Sequence, residues 1–227
     1  MKERGMIFNG EMVRAILEGR KTQTRRPFNW RRQPAMEMAE RDDGSLWPWA
    51  EDCERGGDIW FACPFGEVGD RVWVRETWQA IHDDVDEFGH VEERTYAPSI
   101  PKEKDRYWHT VYAEHFGDES REDRGFPWRP AIHMPRWASR ITLEITDVRV
   151  ERLHSISERD ALREGLFQLP ASGRYCLQPG MQYFGMASHS AKEVYSWLWA
   201  SIYGEESWAA NPWVWVIEFK RVEGGAA

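Results

Sequence analysis

The segment between Trp137 and Leu153 constrains the fold of this chain more than any other feature. Ile141, Leu143 and Ile145 alternate with polar residues, and the alternation then shifts phase to Val148 and Val150. A period of two places apolar side chains on one face of a strand, and a one-residue shift is typical of a β-bulge. The pattern predicts one long, bent strand in a sheet.

Three further segments have the composition of strands. RVWVRETW (71–78) follows the turn signal GEVGD (66–70), and WHTVYAEH (108–115) is rich in β-branched and aromatic residues. WVWVIEFKRV (213–222) has the hydrophobic density that is typical of a central strand.

Three segments have the spacing of short amphipathic helices: 10–18, 155–165 and 190–204. Each ends at a glycine, which can take the left-handed conformation that follows many helices: Gly19, Gly165 and Gly204. Two have capping-box spacing at their start, Ser155 with Glu158 and Ser190 with Glu193.

Bent strands and about three short helices predict an α+β fold built on a small mixed β-barrel, in preference to a doubly wound parallel sheet. The stretches 28–66, 81–130 and 166–189 have no sustained period. We therefore interpret the chain as a single domain, 1–227, with long loop insertions at those three places.

Composition limits the function. The chain of 227 residues has a formal net charge of −8, which argues against a protein that holds long duplex nucleic acid by charge alone. Basic residues nevertheless cluster between Arg14 and Arg32, an arrangement that suits a small anionic or nucleotide ligand. The 14 tryptophans predict a core, an interface or stacking platforms for bases.

The three cysteines, Cys53, Cys63 and Cys176, have no C-x-x-C spacing, and the seven histidines show no metal-binding spacing. No apolar stretch has the length of a membrane span or a signal peptide. The sequence therefore predicts a soluble cytoplasmic protein with no membrane association, no metal and no cofactor.

The string GRKTQTRR supplies Gly19, Lys21, Thr24 and Arg26 in an order that resembles the signature of the ASCH family, which belongs to the PUA-like superfamily. GDRVWVRETW (69–78), the helix SISERDALREGL and the closing strand WVIEFKRV are similar to further family blocks. The whole pattern, including PWRPAIHMPRWASRITLEIT (127–146), resembles ASCH proteins that bacteriophages and prophages encode. The resemblance implies a PUA-like barrel and a role in binding RNA or a nucleotide.

One bacterial branch of that family removes the acetyl group from N4-acetylcytidine with a lysine, a threonine and a glutamate. The resemblance maps those roles onto Lys21, Thr24 and Glu164. The chemistry requires a base that activates the threonine hydroxyl, and a lysine serves as that base only when its pKa is lowered. The branch proteins are much shorter than this chain.

Three functions stay open at this stage. The first is a cleft, lined by Gly19, Arg25, Arg26, Arg136 and Trp137 beside the three residues above, that holds single-stranded RNA or a modified nucleotide. The second is an amidohydrolase acting on an acylated cytidine. The third is a phage accessory protein that binds a host protein. The oligomeric state is not predicted.

Overall fold

The computed structural model describes residues 1–31, 35–54, 56–101, 106–117 and 119–222. Thirteen strands and five α-helices lie in these ranges. The strands are β1 Glu3–Ile7, β2 Gln23–Pro27, β3 Glu37–Glu40, β4 Leu46–Glu51, β5 Asp58–Trp60, β6 Arg71–Arg75, β7 Trp78–Val85, β8 Val91–Tyr96, β9 Trp108–Tyr112, β10 Thr142–Arg152, β11 Phe167–Gln168, β12 Tyr175–Cys176 and β13 Trp213–Arg221. The helices are α1 Gly10–Leu17, α2 Arg121–Arg124, α3 Glu158–Arg163, α4 Ala191–Tyr203 and α5 Glu205–Ala209.

The largest sheet has five strands in the order β1-β6-β10-β13-β2. Its longest strand, β10, pairs antiparallel with β13, and the register shifts between Ile145 and Asp147. The predicted long strand with a bulge is therefore confirmed. In the described part of the chain this sheet ends at β1 and β2 rather than closing into a barrel. The predicted α+β class is confirmed.

The chain divides into two compact units. Among the described residues, the first unit contains 1–4, 15–72 and 143–222, and the second contains 5–14 and 73–142. The boundary passes through α1, β1 and β6 and lies at the start of β10. In the first unit Trp215 of β13 packs against Phe28 and Trp47. In the second, a core cluster is formed by Trp78, Ala80, Met134 and Ala138.

The expectation of long loops throughout 28–66 and 81–130 is wrong. The first stretch contains the three-stranded sheet β3-β4-β5, and the second contains β7 and β8, which form a sheet with β9 in the order β8-β7-β9. Every residue of β8 is exposed, so this strand carries no apolar alternation and is held by its pairing with β7. Between 166 and 189 the short strands β11 and β12 pair. Positions 32–34, 55, 102–105 and 118 lie outside the described residues, and Arg32 of the basic cluster is one of them.

The predicted strand at 71–78 is two strands, because β6 belongs to the five-stranded sheet and β7 to a different one. The strands predicted at 108–115 and 213–222 are confirmed as β9 and β13.

The helices predicted at 10–18 and 190–204 are confirmed as α1 and α4. At the start of α4 the Ser190 hydroxyl accepts a hydrogen bond from the backbone N–H of Glu193 at 3.3 Å. The capping box of Ser155 with Glu158 is wrong. Ser157 caps α3 by accepting from Asp160 N at 3.1 Å, while the Glu158 carboxylate accepts from Ser190 Oγ at 2.9 Å. The helices α2 and α5 were not predicted, since neither is longer than five residues.

Among the helices of the described residues, none combines the length and apolar content that crossing a bilayer requires.

Two fully buried tryptophans differ in how their indole N–H is satisfied. Trp199 Nε1 donates to Ser207 Oγ at 3.0 Å, whereas Trp78 Nε1 has no hydrogen-bond partner among the described residues. Replacing either by phenylalanine removes the same atoms. We therefore expect Trp199→Phe to lose about 1 kcal/mol more unfolding free energy than Trp78→Phe.

The measurement is urea unfolding followed by circular dichroism for both variants and the wild type. Equal losses, or a larger loss for Trp78→Phe, would contradict this assignment of the two hydrogen-bonding states.

Candidate functional site

The predicted site begins where α1 ends. Gly19 has φ of +76°, the left-handed conformation that favours glycine, and its N–H donates to Ile16 O at 3.0 Å. The backbone N–H of Lys21 then donates to Ala15 O at 2.9 Å. This tight exit turns the chain directly from the helix toward the edge strand β2, with Lys21 at the turn.

Lys21 forms a buried ion pair with Glu164, 143 positions further along the chain. Its Nζ lies 2.7 Å from Glu164 Oε2 and also donates to the backbone oxygen of Glu164 at 2.9 Å. Lys21 is 1% exposed and Glu164 is 3% exposed. A charged group that is buried to this degree is tolerated only with a close partner of opposite charge.

Glu164 is placed by the end of α3, where it is the C-cap residue. The next residue, Gly165, has φ of +109°, and a Cβ at this position would lie 2.9 Å from Ala15 Cβ and 3.3 Å from Lys21 Cβ. Thr22 N donates to Arg163 O at 2.9 Å, which joins the two segments by their backbones as well. Only glycine permits this close approach of the two segments.

Arg25 binds the other oxygen of the same carboxylate. Its Nη1 lies 3.3 Å from Glu164 Oε1, and its Nη2 lies 3.0 Å from Glu151 Oε2 and 3.5 Å from Asp160 Oδ2. Its side chain is fully buried, and its Nε has no hydrogen-bond partner within the described ranges. Lys21, Arg25 and Glu164 together form a charged triad.

Burial lowers the pKa of Lys21 below its ordinary value. The charge and hydrogen bond of Glu164 oppose this effect, and the positive charges of Arg26 and Arg25 add to it. Burial also raises the pKa of Tyr195, whose surroundings include Glu164, so this phenol stays protonated. At a given pH, a larger fraction of Lys21 is therefore in the neutral form that can accept a proton than of a lysine in water.

Thr24 and Arg26 lie on the other face of β2. Successive side chains of a strand point to opposite faces, so Thr24 and Arg26 are directed away from the face that carries Arg25. Their cross-strand partners on β13 are Ile217 for Thr24 and Trp215 for Arg26. Thr24 is buried and Arg26 is half-buried.

Arg136 and Trp137 belong to the second unit, in a 3-10 turn at Arg136–Ala138. Arg136 Nη2 donates to Thr142 Oγ1 at 3.1 Å, and the Trp137 ring packs edge-on against Trp78 at 5.6 Å between centroids. Trp137 is thus part of the second unit's core packing.

Three acidic residues near the charged triad were not predicted as site residues: Glu151 and Asp160, which pair with Arg25, and Glu218, which pairs with Arg149. Arg149 connects them, with Nε 2.6 Å from Glu151 and Nη1 2.7 Å from Glu218. The sequence signal was the alternation of charges along β10, where Asp147, Arg149 and Glu151 share a face. Among the described residues, no cluster of three or more histidine, cysteine, aspartate or glutamate side chains has the arrangement of a metal site.

Comparisons with protein-family models, with curated proteins and with solved structures give no match to this chain.

The two glycines that flank the charged triad test its packing. An alanine at Gly19 adds only backbone strain, because nothing lies within 4 Å of its Cβ, whereas an alanine at Gly165 also collides with Ala15 and crowds Lys21. We expect Gly19→Ala to cost about 1–2 kcal/mol of unfolding free energy and Gly165→Ala about 1–3 kcal/mol more.

Denaturant unfolding of the two variants beside the wild type makes this measurement. A Gly165→Ala protein as stable as Gly19→Ala would show that the close approach of α3 to Lys21 is not a tight constraint.

Proposed function

We propose that the chain is an ASCH-type protein of the PUA-like superfamily that binds a nucleoside or nucleotide, free or at one position of single-stranded RNA, beside Lys21, Arg25 and Glu164. The single observation that carries the proposal is the contact of Lys21 Nζ with Glu164 Oε2 at 2.7 Å in a buried place. The resemblance assigns these two positions to one ligand site, although no spacing rule connects them.

The donors and acceptors of the triad suit the edge of a pyrimidine. Each carboxylate oxygen of Glu164 can accept more than one hydrogen bond, and each engages one cation. Lys21 Nζ has three N–H groups and donates two of them to Glu164. Arg25 Nε adds a buried donor without a partner among the described residues. A base offers an amino donor and a carbonyl acceptor side by side, which complements this set.

The net charge favours a short ligand. The phosphates of a long strand would be repelled by a protein of net charge −8. The basic residues near the site already pair with Glu151, Asp160 and Glu164. A nucleoside or one nucleotide requires only the local groups.

Isothermal titration with cytidine, CMP and N4-acetylcytidine tests the binding. We expect at least one to bind the wild type, and we expect Glu164→Gln and Lys21→Met to weaken that binding about tenfold or more, since each removes a charge-assisted hydrogen bond. Glu144→Gln is the matched control, because Glu144 pairs with the exposed Lys220 at 2.8 Å.

Breaking a buried pair costs about 3–5 kcal/mol, so thermal unfolding must show that the triad variants remain folded at the titration temperature. If they do not, Arg25→Lys replaces them, because it keeps a positive charge on the face of Glu164 while it removes the guanidinium donors of Arg25. Wild-type protein that binds none of the three compounds would refute the proposal.

A second candidate function is removal of the acetyl group from N4-acetylcytidine, and the lowered pKa of Lys21 favours it. In that reaction Thr24 Oγ would attack the acetyl carbon while Lys21 accepts its proton. Cytidine would leave with a proton on its N4 amine, and water would release acetate from Thr24. The strand alternation, which directs Thr24 away from Arg25, makes this the second candidate rather than the first.

Chromatography of N4-acetylcytidine incubated with the protein tests this reaction. We expect cytidine and acetate in equal amounts, loss of turnover in Lys21→Met and Thr24→Val, and full turnover in Glu144→Gln. Retention of turnover in Thr24→Val would exclude the threonine as nucleophile, and intact substrate with folded wild type would exclude the reaction. The binding of a host protein stays a prediction from the sequence.

A further inference from the structure

A cavity lies in a part of the chain that the sequence suggested to be loop. It measures about 480 Å³ and lies against one face of the sheet β8-β7-β9 in the second unit. Ile81 of β7 stands opposite Tyr96 of β8 and opposite His109 of β9, and these three residues line the cavity as one cross-strand row. Its size is that of a small-molecule site.

Another part of the lining is aromatic. Phe116 and Phe126 line the cavity, and their rings pack edge-on against each other at 5.8 Å between centroids. Trp128 contacts both rings from outside, at 5.3 Å and 5.2 Å. A planar ligand ring would therefore meet an apolar surface of rings packed against one another, which favours stacking or edge-on contact.

A group of polar side chains converges on the same cavity. The largely buried Asp83 accepts from His109 Nε2 at 2.5 Å and from Arg94 Nε at 3.1 Å. Burial raises the pKa of Asp83, but His109 and Arg94 outweigh that effect and lower it, so the carboxylate stays charged. Asp83 thus pairs with both His109 and Arg94 at the cavity wall, where these side chains are 50% and 71% exposed.

A second guanidinium group comes from α2. Arg124 lines the cavity and is oriented by donating from Nε to Phe126 O at 2.9 Å and from Nη1 to Glu119 O at 2.5 Å. The cavity lining therefore carries two permanent positive charges and one negative charge, within a chain of net charge −8. Such a local excess of positive charge selects an anion.

A neighbouring cavity of about 440 Å³ shares Tyr96 but differs in the charged residues of its lining. Its polar residues Gln79 and Arg129 bond to each other at 2.8 Å, and Gln79 Nε2 donates to Pro127 O at 2.8 Å. Among the described residues, Arg129 is the one arginine in this lining, whereas the cavity beside Asp83 is lined by both Arg94 and Arg124. The cavity beside Asp83 is therefore the better candidate site for an anion.

We propose that the cavity formed by Asp83, Arg94, Tyr96, His109, Phe116 and Arg124 binds a small planar aromatic molecule that carries an acidic group. The ring lies between Tyr96 and the phenylalanine wall, and the acidic group lies near Arg94 and Arg124. A nucleoside monophosphate and an aromatic carboxylate share this chemistry. The site is separate from the charged triad and does not depend on the function proposed above.

Ligand-observed NMR followed by isothermal titration tests the proposal with AMP and with 4-hydroxybenzoate. Adenosine supplies a ring without the acid, and inorganic phosphate and acetate supply the acid without the ring. We expect one of the two complete probes to bind with a dissociation constant below about 1 mM. We expect its separate parts to bind at least about tenfold more weakly. The probe that binds identifies the source of the acid.

Matched variants locate the binding. Arg124→Gln should weaken it about tenfold, whereas Arg121→Gln, on the exposed side of the same helix, should not. His109→Ala should also weaken it, whereas Phe88→Ala, an exposed aromatic at the tip of the β7–β8 hairpin that is outside the cavity, should not. Arg94→Gln is a second arginine variant on an exposed side chain, in case Arg124→Gln is unstable.

Failure of the folded wild type to bind either complete probe would overturn the proposal, as would unchanged binding in all three cavity variants. Binding that is lost in Lys21→Met but kept in Arg124→Gln and His109→Ala would also overturn it, by assigning the ligand to the charged triad. Binding that is lost in the cavity variants and kept in Lys21→Met supports the proposal, whatever becomes of the triad.

Discussion

The burial of two opposite charges, on Lys21 and Glu164, is the constraint on which the first unit depends. Removing an ion from water costs several kcal/mol, and the cost is offset only when its partner is in direct contact and its remaining hydrogen-bonding groups are satisfied. Both conditions require the end of α1, the edge strand β2 and the end of α3 to meet within one side-chain length. Gly165 permits that approach, and the second cation, Arg25, satisfies the other carboxylate oxygen. A change in any of these elements therefore leaves a charge uncompensated in the interior.

The charged side chains around this pair become more exposed with distance from it along the network. Arg25 connects the buried carboxylate to Glu151 and Asp160, and Arg149 continues the network to Glu218, with side chains that are 17–29% exposed at this outer level. Exposed pairs contribute little individually because water and salt screen them, but a network shares the entropic cost of fixing each side chain. The network lies on the face of β10 and β13 that α3 covers, whereas the opposite face of β13 carries Trp215, Ile217 and Phe219. The charged network is thus confined to one face of β10 and β13.

Sequence patterns predicted the elements that bury apolar faces, namely β10 with its bulge, β13, α1 and α4. They failed where main-chain pairing alone forms a strand, as in β8, whose residues are all exposed. They also failed at the start of α3, where Ser155 and Ser157 are both possible cap residues. Local spacing cannot show that the carboxylate of Glu158 accepts from Ser190 and is therefore not paired with Ser155. The contact between Lys21 and Glu164 spans 143 positions, and only the resemblance connected them. The resemblance gave no warning that Thr24 and Arg25, one residue apart, would face opposite sides of a strand.

The two candidate sites differ in what a ligand must displace. At the charged triad the strong donors and acceptors already bind one another, so a ligand would have to share Glu164 or replace one of its cations, and affinity would be limited by that exchange. Binding there would therefore be selective for a ligand whose donors and acceptors match those of the triad, and weak for all others. In the cavity of the second unit the polar groups are oriented by contacts behind them, and the aromatic wall is already formed. A preformed site of this kind would spend little free energy on rearrangement, so it would tolerate a broader set of ligands that share a ring and a negative charge.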